Sequence, residues 1–134
     1  MKDPAVYLDA SALVKLVFDE DGTADLRRFL ADWPHRACSI LGRVEVLRTA
    51  RTIDDSLVER HAHDALKRVV FIDLDSALIR HAMEVEPRTL RALDAIHLAT
   101  ALSLMPHLAG MVAYDRQLLK AAGAAGLKTW APRH

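Results

Sequence analysis

Ala5-Val6-Tyr7-Leu8-Asp9, continued at once by Ala10-Ser11-Ala12-Leu13-Val14-Lys15-Leu16-Val17-Phe18, is the stretch that decides the fold. An apolar run closed by an acid predicts a short buried strand over 5–8. The residues after it predict a helix over 11–18, with Ser11 close to its start. The same alternation repeats down the chain. Asp21-Gly22-Thr23 opens a helix from Ala24 to near Asp32, stopped by Trp33-Pro34 because a residue before proline avoids helical geometry. A strand over 36–38 follows, then a helix over 40–51 capped by Ser39. Asp54 or Asp55 caps a fourth helix through Leu57, Ala62, Leu66 and Val69, and β-branched, aromatic Val69-Val70-Phe71-Ile72 predicts a strand. Asp75 caps a helix over 76–84, and a strong helix over 90–104 is ended by Pro106. A strand over 111–114, a helix over 116–124 with Gly126 just past its end, and a strand over 128–130 complete the series. Strands alternating with helices imply an α/β fold whose mostly parallel sheet of about five short strands is covered on both faces.

The chain has 134 residues, which fits one domain spanning 1–134. Its hydrophobic fraction of 51% is that of a globular protein and too high for a disordered one. No apolar run approaches the ~18 residues a membrane span needs. Met1-Lys2-Asp3-Pro4, with Asp9 and Lys15 inside the first apolar run, does not make a secretory signal. Cys38 is the lone cysteine, so no internal disulfide forms and a cytoplasmic setting is the expectation. Eighteen basic residues balance eighteen acidic ones, which excludes a general basic coat for nucleic acid but not a local patch.

In sheets of this kind, sites form beyond the carboxyl ends of the strands, and here two strands lead into aspartates, Asp9 and Asp115. Each also reads as a helix cap. Glu45 sits in Leu41-Gly42-Arg43-Val44-Glu45-Val46-Leu47, whose apolar neighbours predict partial burial; the bland reading is an exposed glutamate paired with Arg48. Asp94 lies on a helix that is apolar nearly all round, close to its positive end, where it needs a partner or a cation. Its bland reading is an ion pair with Arg91. Four carboxylates in one pocket repel one another until protons or a cation neutralise them. Oxygen-only ligands select a hard ion, Mg²⁺ or Mn²⁺, and such clusters serve phosphodiester hydrolysis.

Four segments, taken together and in order, resemble the VapC toxins of the PIN-domain family: residues 7–16, Arg43-Val44-Glu45-Val46-Leu47-Arg48, Leu93-Asp94-Ala95-Ile96-His97-Leu98-Ala99-Thr100-Ala101 and Ala113-Tyr114-Asp115-Arg116-Gln117-Leu118. The likeness extends from residue 5 to residue 130. It implies a PIN-like three-layer α/β/α sandwich, with Asp9, Glu45, Asp94 and Asp115 as metal ligands and Ser11 supporting them by hydrogen bonding. It implies a Mg²⁺- or Mn²⁺-dependent endoribonuclease, the toxin of a type II toxin–antitoxin system, forming a homodimer and silenced by a VapB-type antitoxin. Many PIN domains carry a further acid where this chain has Gln117, which weakens the case for a second metal.

Around the acids lie Arg43, Arg48, Arg51, Arg88, Arg91 and Arg116, a basic rim suited to an RNA phosphate chain. Of these, Arg43, Arg48, Arg91 and Arg116 are the candidate substrate contacts. His97 is three residues from Asp94 and reads either as a co-ligand or as a histidine bonded within the helix packing. His61 and His63 point to different faces and read as solvated; Glu20 and Asp21 read as turn and cap. Phe18, Phe29, Trp33 and Trp130 suit either base stacking or core. Two other functions compete. In a phosphoacceptor receiver domain Asp73 would be the acceptor, but such domains need paired acids after the first strand and Asp9 is followed by Ala10. A PIN fold that only binds RNA is the other, against which stand the four intact acids.

Overall fold

The computed structural model describes residues 3–133. β1 (Ala5–Leu8) runs into α1 (Ala10–Val17) and α2 (Thr23–Leu30), followed by β2 (Arg36–Ser39), α3 (Ile40–Arg51) and α4 (Ser56–Ala65). Then come β3 (Val69–Ile72), α5 (Ser76–Glu84), α6 (Ala92–Ser103), β4 (Leu108–Val112), α7 (Arg116–Ala124) and β5 (Thr129–Trp130). All strand pairs are parallel, in the order β3-β2-β1-β4-β5. Helices α1 to α4 pack on one another, while α6 packs against α5 and α7, giving the three-layer α/β/α sandwich. Val6, Tyr7, Leu8, Met111 and Val112 have no exposed surface, so β1 and β4 form the floor of the core. Each fully buried Leu or Val contributes about 1.5–3 kcal/mol relative to leaving it in water.

Strand order reverses at β1: successive connections step outward to β2 and β3, then the chain returns to β4 on the other side. A crevice opens at such a switch point beyond the strands' carboxyl ends. This order also differs from the 2-1-3-4-5 order of receiver-type sheets. Asp73 follows the edge strand β3 and is exposed, outside any such crevice.

Several boundaries differ from those the sequence predicts. β4 covers Leu108–Val112 rather than 111–114. The Tyr114 amide donates to the Ser11 hydroxyl instead of to a strand, so the chain has left the ladder before Asp115. α6 begins at Ala92, because Arg91 is extended and serves as its cap residue. α4 stops at Ala65, since Val69 pairs with Arg36 in the sheet. Asp55, not Asp54, caps α4 by accepting from the Leu57 amide. Neither Glu20 nor Asp21 caps α2: Gly22, at φ +89°, takes that place, and Glu20 pairs with Lys15. Ser39 and Asp75 cap α3 and α5 as expected. At the C-terminus of α7 the Leu127 amide reaches back to the Ala122 carbonyl past Gly126, a Schellman closure.

Phe29, Trp33 and Trp130 pack on one another with ring centroids 5.2–6.2 Å apart, so these aromatics are structural. They close the sheet edge at β5. Gly110 lets β5 approach there: a methyl group in its place would meet the Lys128 carbonyl oxygen and lie 2.7 Å from the Trp130 ring. Gly110→Ala is therefore expected to cost about 1–3 kcal/mol in urea unfolding and to shift tryptophan fluorescence. Gly123→Ala, on α7 with nothing within 4 Å, is expected to stabilise by about 0.5–1 kcal/mol. Equal effects at the two positions would remove the packing explanation.

Candidate active site

Asp9 leaves β1 in extended geometry and caps α1, its Oδ1 accepting from the Ala12 amide at 3.0 Å. The Ser11 hydroxyl donates to the same oxygen at 2.6 Å and accepts from the Tyr114 amide at 3.1 Å. One hydroxyl thus ties the first acid to the segment that carries the last. Asp115 caps α7 through Oδ1, which accepts from the Gln117 and Leu118 amides, while its Oδ2 accepts from Arg91 at 3.1 Å. Asp94 sits in the first turn of α6, with Oδ2 3.5 Å from Arg91 Nε. Glu45, half-buried on α3, places Oε1 3.2 Å from His97 Nε2 rather than pairing with Arg48. All four acids line one cleft of about 430 Å³, with Ser11, Arg91 and His97.

The electrostatics follow from this crowding. Asp9 is only 4% exposed, and burial lifts its carboxyl above the usual range. The Ser11 and Ala12 hydrogen bonds pull it down, and the charge of Asp94 adds to the rise. Asp94 is raised by burial and then by the charge of Asp115, with Arg91 opposing. One arginine, Arg91, lines a cleft that carries four acids, and it pairs with two of them, Asp94 and Asp115. Among the described residues no three acid, histidine or cysteine side chains are arranged to hold a metal ion as they stand. The Arg91 guanidinium reaches both Asp94 and Asp115. Its side chain is 77% exposed, and exposed ion pairs contribute only about 0–1 kcal/mol. The four acids offer only oxygen, a chemistry that fits a hard divalent ion.

Of the candidate substrate-contacting arginines, only Arg91 lines the cleft. Arg43 and Arg48 line a separate groove between α3 and α4, where Arg43 lies 3.5 Å from His63 and over the Phe71 ring. Arg116 is exposed at the start of α7. His61 and His63 are exposed. Both nitrogens of His97 are engaged, one by Glu45 and one by the Tyr7 hydroxyl, which is the packing reading rather than the co-ligand one. Tyr7 is the participant that sequence reasoning missed. The available signal was a phenol inside a fully apolar strand, since a buried hydroxyl needs a partner.

The raised Asp94 carboxyl has a consequence for stability. In chelator-treated protein the folded state holds this proton more tightly than the unfolded chain, so stability falls as pH rises from the ordinary carboxylate range through the raised value. Asp94→Asn removes the charge. Its melting temperature is expected to gain on wild type across that window and to hold the gain above it. A difference that stays flat with pH, followed by scanning calorimetry in EDTA, would contradict this.

Comparison with known proteins agrees with the architecture. Residues 6–124 match the PIN domain family. The chain is 35% identical over 131 residues to ribonuclease VapC47 of Mycobacterium tuberculosis (strain CDC 1551 / Oshkosh), covering 95% of this chain and 96% of that one. It is 37% identical over 128 residues to ribonuclease VapC46 of M. tuberculosis (strain ATCC 25618 / H37Rv), covering 96% and 98%. In fold it is similar to a toxin–antitoxin complex from Klebsiella pneumoniae, with TM-score 0.73 at 20% identity, covering 96% of this chain and 98% of that one. With its sheet order, its acids around one cleft and these relatives, the chain belongs to the PIN-domain family, in its VapC branch.

Proposed function

We propose that this chain is a metal-dependent endoribonuclease that hydrolyses RNA phosphodiester bonds, the toxin of a type II toxin–antitoxin pair. The observation that carries the reading is the meeting of Asp9, Glu45, Asp94 and Asp115 in one cleft at the switch point of the sheet. The names of the VapC relatives and the toxin–antitoxin complex of the same fold support it.

The four acids are the ligands of Mg²⁺ or Mn²⁺, which when bound supplies an activated water and stabilises charge on the phosphoryl oxygens. Ser11 and the Ala12 amide hold Asp9 by one oxygen, leaving the other for the cleft. Asp115 divides its oxygens in the same way, one to the α7 amides and one to the cleft. Arg91, released from Asp94 and Asp115, binds the phosphate at the scissile bond as a charge-assisted donor. Arg43, Arg48 and Arg116 meet phosphates farther along the strand. Gln117, in place of a further acid, favours a single ion. A VapB-type antitoxin and a second copy of this chain are the proposed protein partners. No helix among the described residues is long and apolar enough to cross a membrane. The proposed setting is cytoplasmic, where a lone cysteine such as Cys38 is ordinary.

Purified protein is expected to cut RNA internally with Mg²⁺ or Mn²⁺ and to stop when EDTA is added. Asp94→Asn and Glu45→Gln are expected to lower kcat/KM on the order of 100-fold or more, about 2.7 kcal/mol of transition-state stabilisation, with folding intact by circular dichroism. Full cleavage by Asp94→Asn, or cleavage unaffected by EDTA, would refute the assignment.

A further inference from the structure

We infer that Tyr7 and His97 are positioning residues that fix the Glu45 carboxylate for the ion, an inference that rests on the metal site proposed above. A continuous chain of hydrogen bonds carries it. The Ser39 amide donates to the Tyr7 hydroxyl at 2.9 Å. That hydroxyl lies 2.7 Å from His97 Nδ1, and His97 Nε2 lies 3.2 Å from Glu45 Oε1. Tyr7 is fully buried and His97 is 2% exposed, so these groups answer one another rather than water.

Directions along the chain follow from proton counting. Glu45, as a carboxylate, can only accept, so His97 Nε2 carries a proton toward it. Nδ1 of the neutral imidazole then accepts from the Tyr7 hydroxyl, which in turn accepts from the Ser39 amide. The opposite tautomer would set a nitrogen lone pair against a carboxylate. Tyr7 meets the ring edge-on at 71° with centroids 5.8 Å apart, and Gly42 makes space for it, since a methyl group there would lie 3.3 Å from His97 Cε1.

The mechanical effect is specific to Glu45. It alone of the four lies in the middle of a helix, away from both the cap bonds of Asp9 and Asp115 and the positive helix end beside Asp94. Its side chain is 29% exposed and reaches the cleft from α3. The Tyr7–His97 pair fastens one of its oxygens to β1 and α6, the elements that deliver Asp9 and Asp94, and leaves the other oxygen for the ion. Groups that orient metal ligands in this way typically account for 10–100-fold in metal affinity.

The test uses chelator-stripped full-length protein, with Mn²⁺ binding followed by electron paramagnetic resonance and the His97 tautomer by ¹⁵N nuclear magnetic resonance. Wild type is expected to bind Mn²⁺ and to show the Nε2–H tautomer. Tyr7→Phe, which keeps the ring packing, and His97→Leu are expected to weaken Mn²⁺ binding about 10–100-fold. His97→Gln, which keeps a donor toward Glu45, is expected to recover most of the loss. Unchanged Mn²⁺ affinity in Tyr7→Phe, or the Nδ1–H tautomer in wild type, would overturn the positioning role while leaving the metal site standing. Wild type that binds no Mn²⁺ would overturn the metal site itself and this role with it.

Discussion

A carboxylate shut away from water must have its charge answered or hold a proton, and Asp9 stands in that position at the end of the central strand. Its answer is partly local: the amide at the start of α1 and the Ser11 hydroxyl both fall on one oxygen. Beyond these local bonds Asp9 shares its cleft with three further acids, of which Asp94 adds to the rise of its carboxyl while His97 opposes it. The remaining organisation of the cleft follows from that balance. Ser11 is central because its oxygen works in both directions, donating to Asp9 and accepting from the Tyr114 amide. The bond that helps to keep Asp9 charged is also the one that takes the chain out of the sheet after β4 and sets the place of Asp115.

Capping and site membership are compatible because a carboxylate has two oxygens. Asp9 and Asp115 each give one to helix amides, which fixes the angle at which the other is presented. Asp94 does without a cap bond and draws on the positive end of α6, one residue beyond which Arg91 sits as an extended cap residue. Arg91 is then close enough to serve two acids at once, yet exposed enough to let go of both. A counter-charge of this kind offsets part of the repulsion between Asp94 and Asp115.

Much of this was legible in the residues. The order of strands and helices follows from apolar period and punctuation, and Asp9, Asp94 and Asp115 stand out as acids where strands end or apolar helices begin. Glu45 was less legible, because a glutamate on a helix is ordinary until its neighbours are known. The end of β4 was misplaced by the apolar run 111–114, since sequence periodicity does not reveal that a serine hydroxyl more than a hundred residues earlier takes the Tyr114 amide. Arg91 read as one half of a local ion pair, and its reach to Asp115 depends on how α6 lies against α7.

Local pattern alone therefore determined the α/β class, the parallel sheet, most helix caps and the prominence of Asp9, Asp94 and Asp115, because each depends on residues within a turn or two of one another. Glu45 joined that set through the resemblance to the PIN-domain family. Tertiary structure decided which acids share a cleft, which arginine enters it, and that Tyr7 and His97 stand behind Glu45. Those depend on strand order and helix approach, which bring together residues ninety or more positions apart in the case of Tyr7 and His97. Hydrogen bonds and charges act over a few ångströms of space, whatever the separation along the chain.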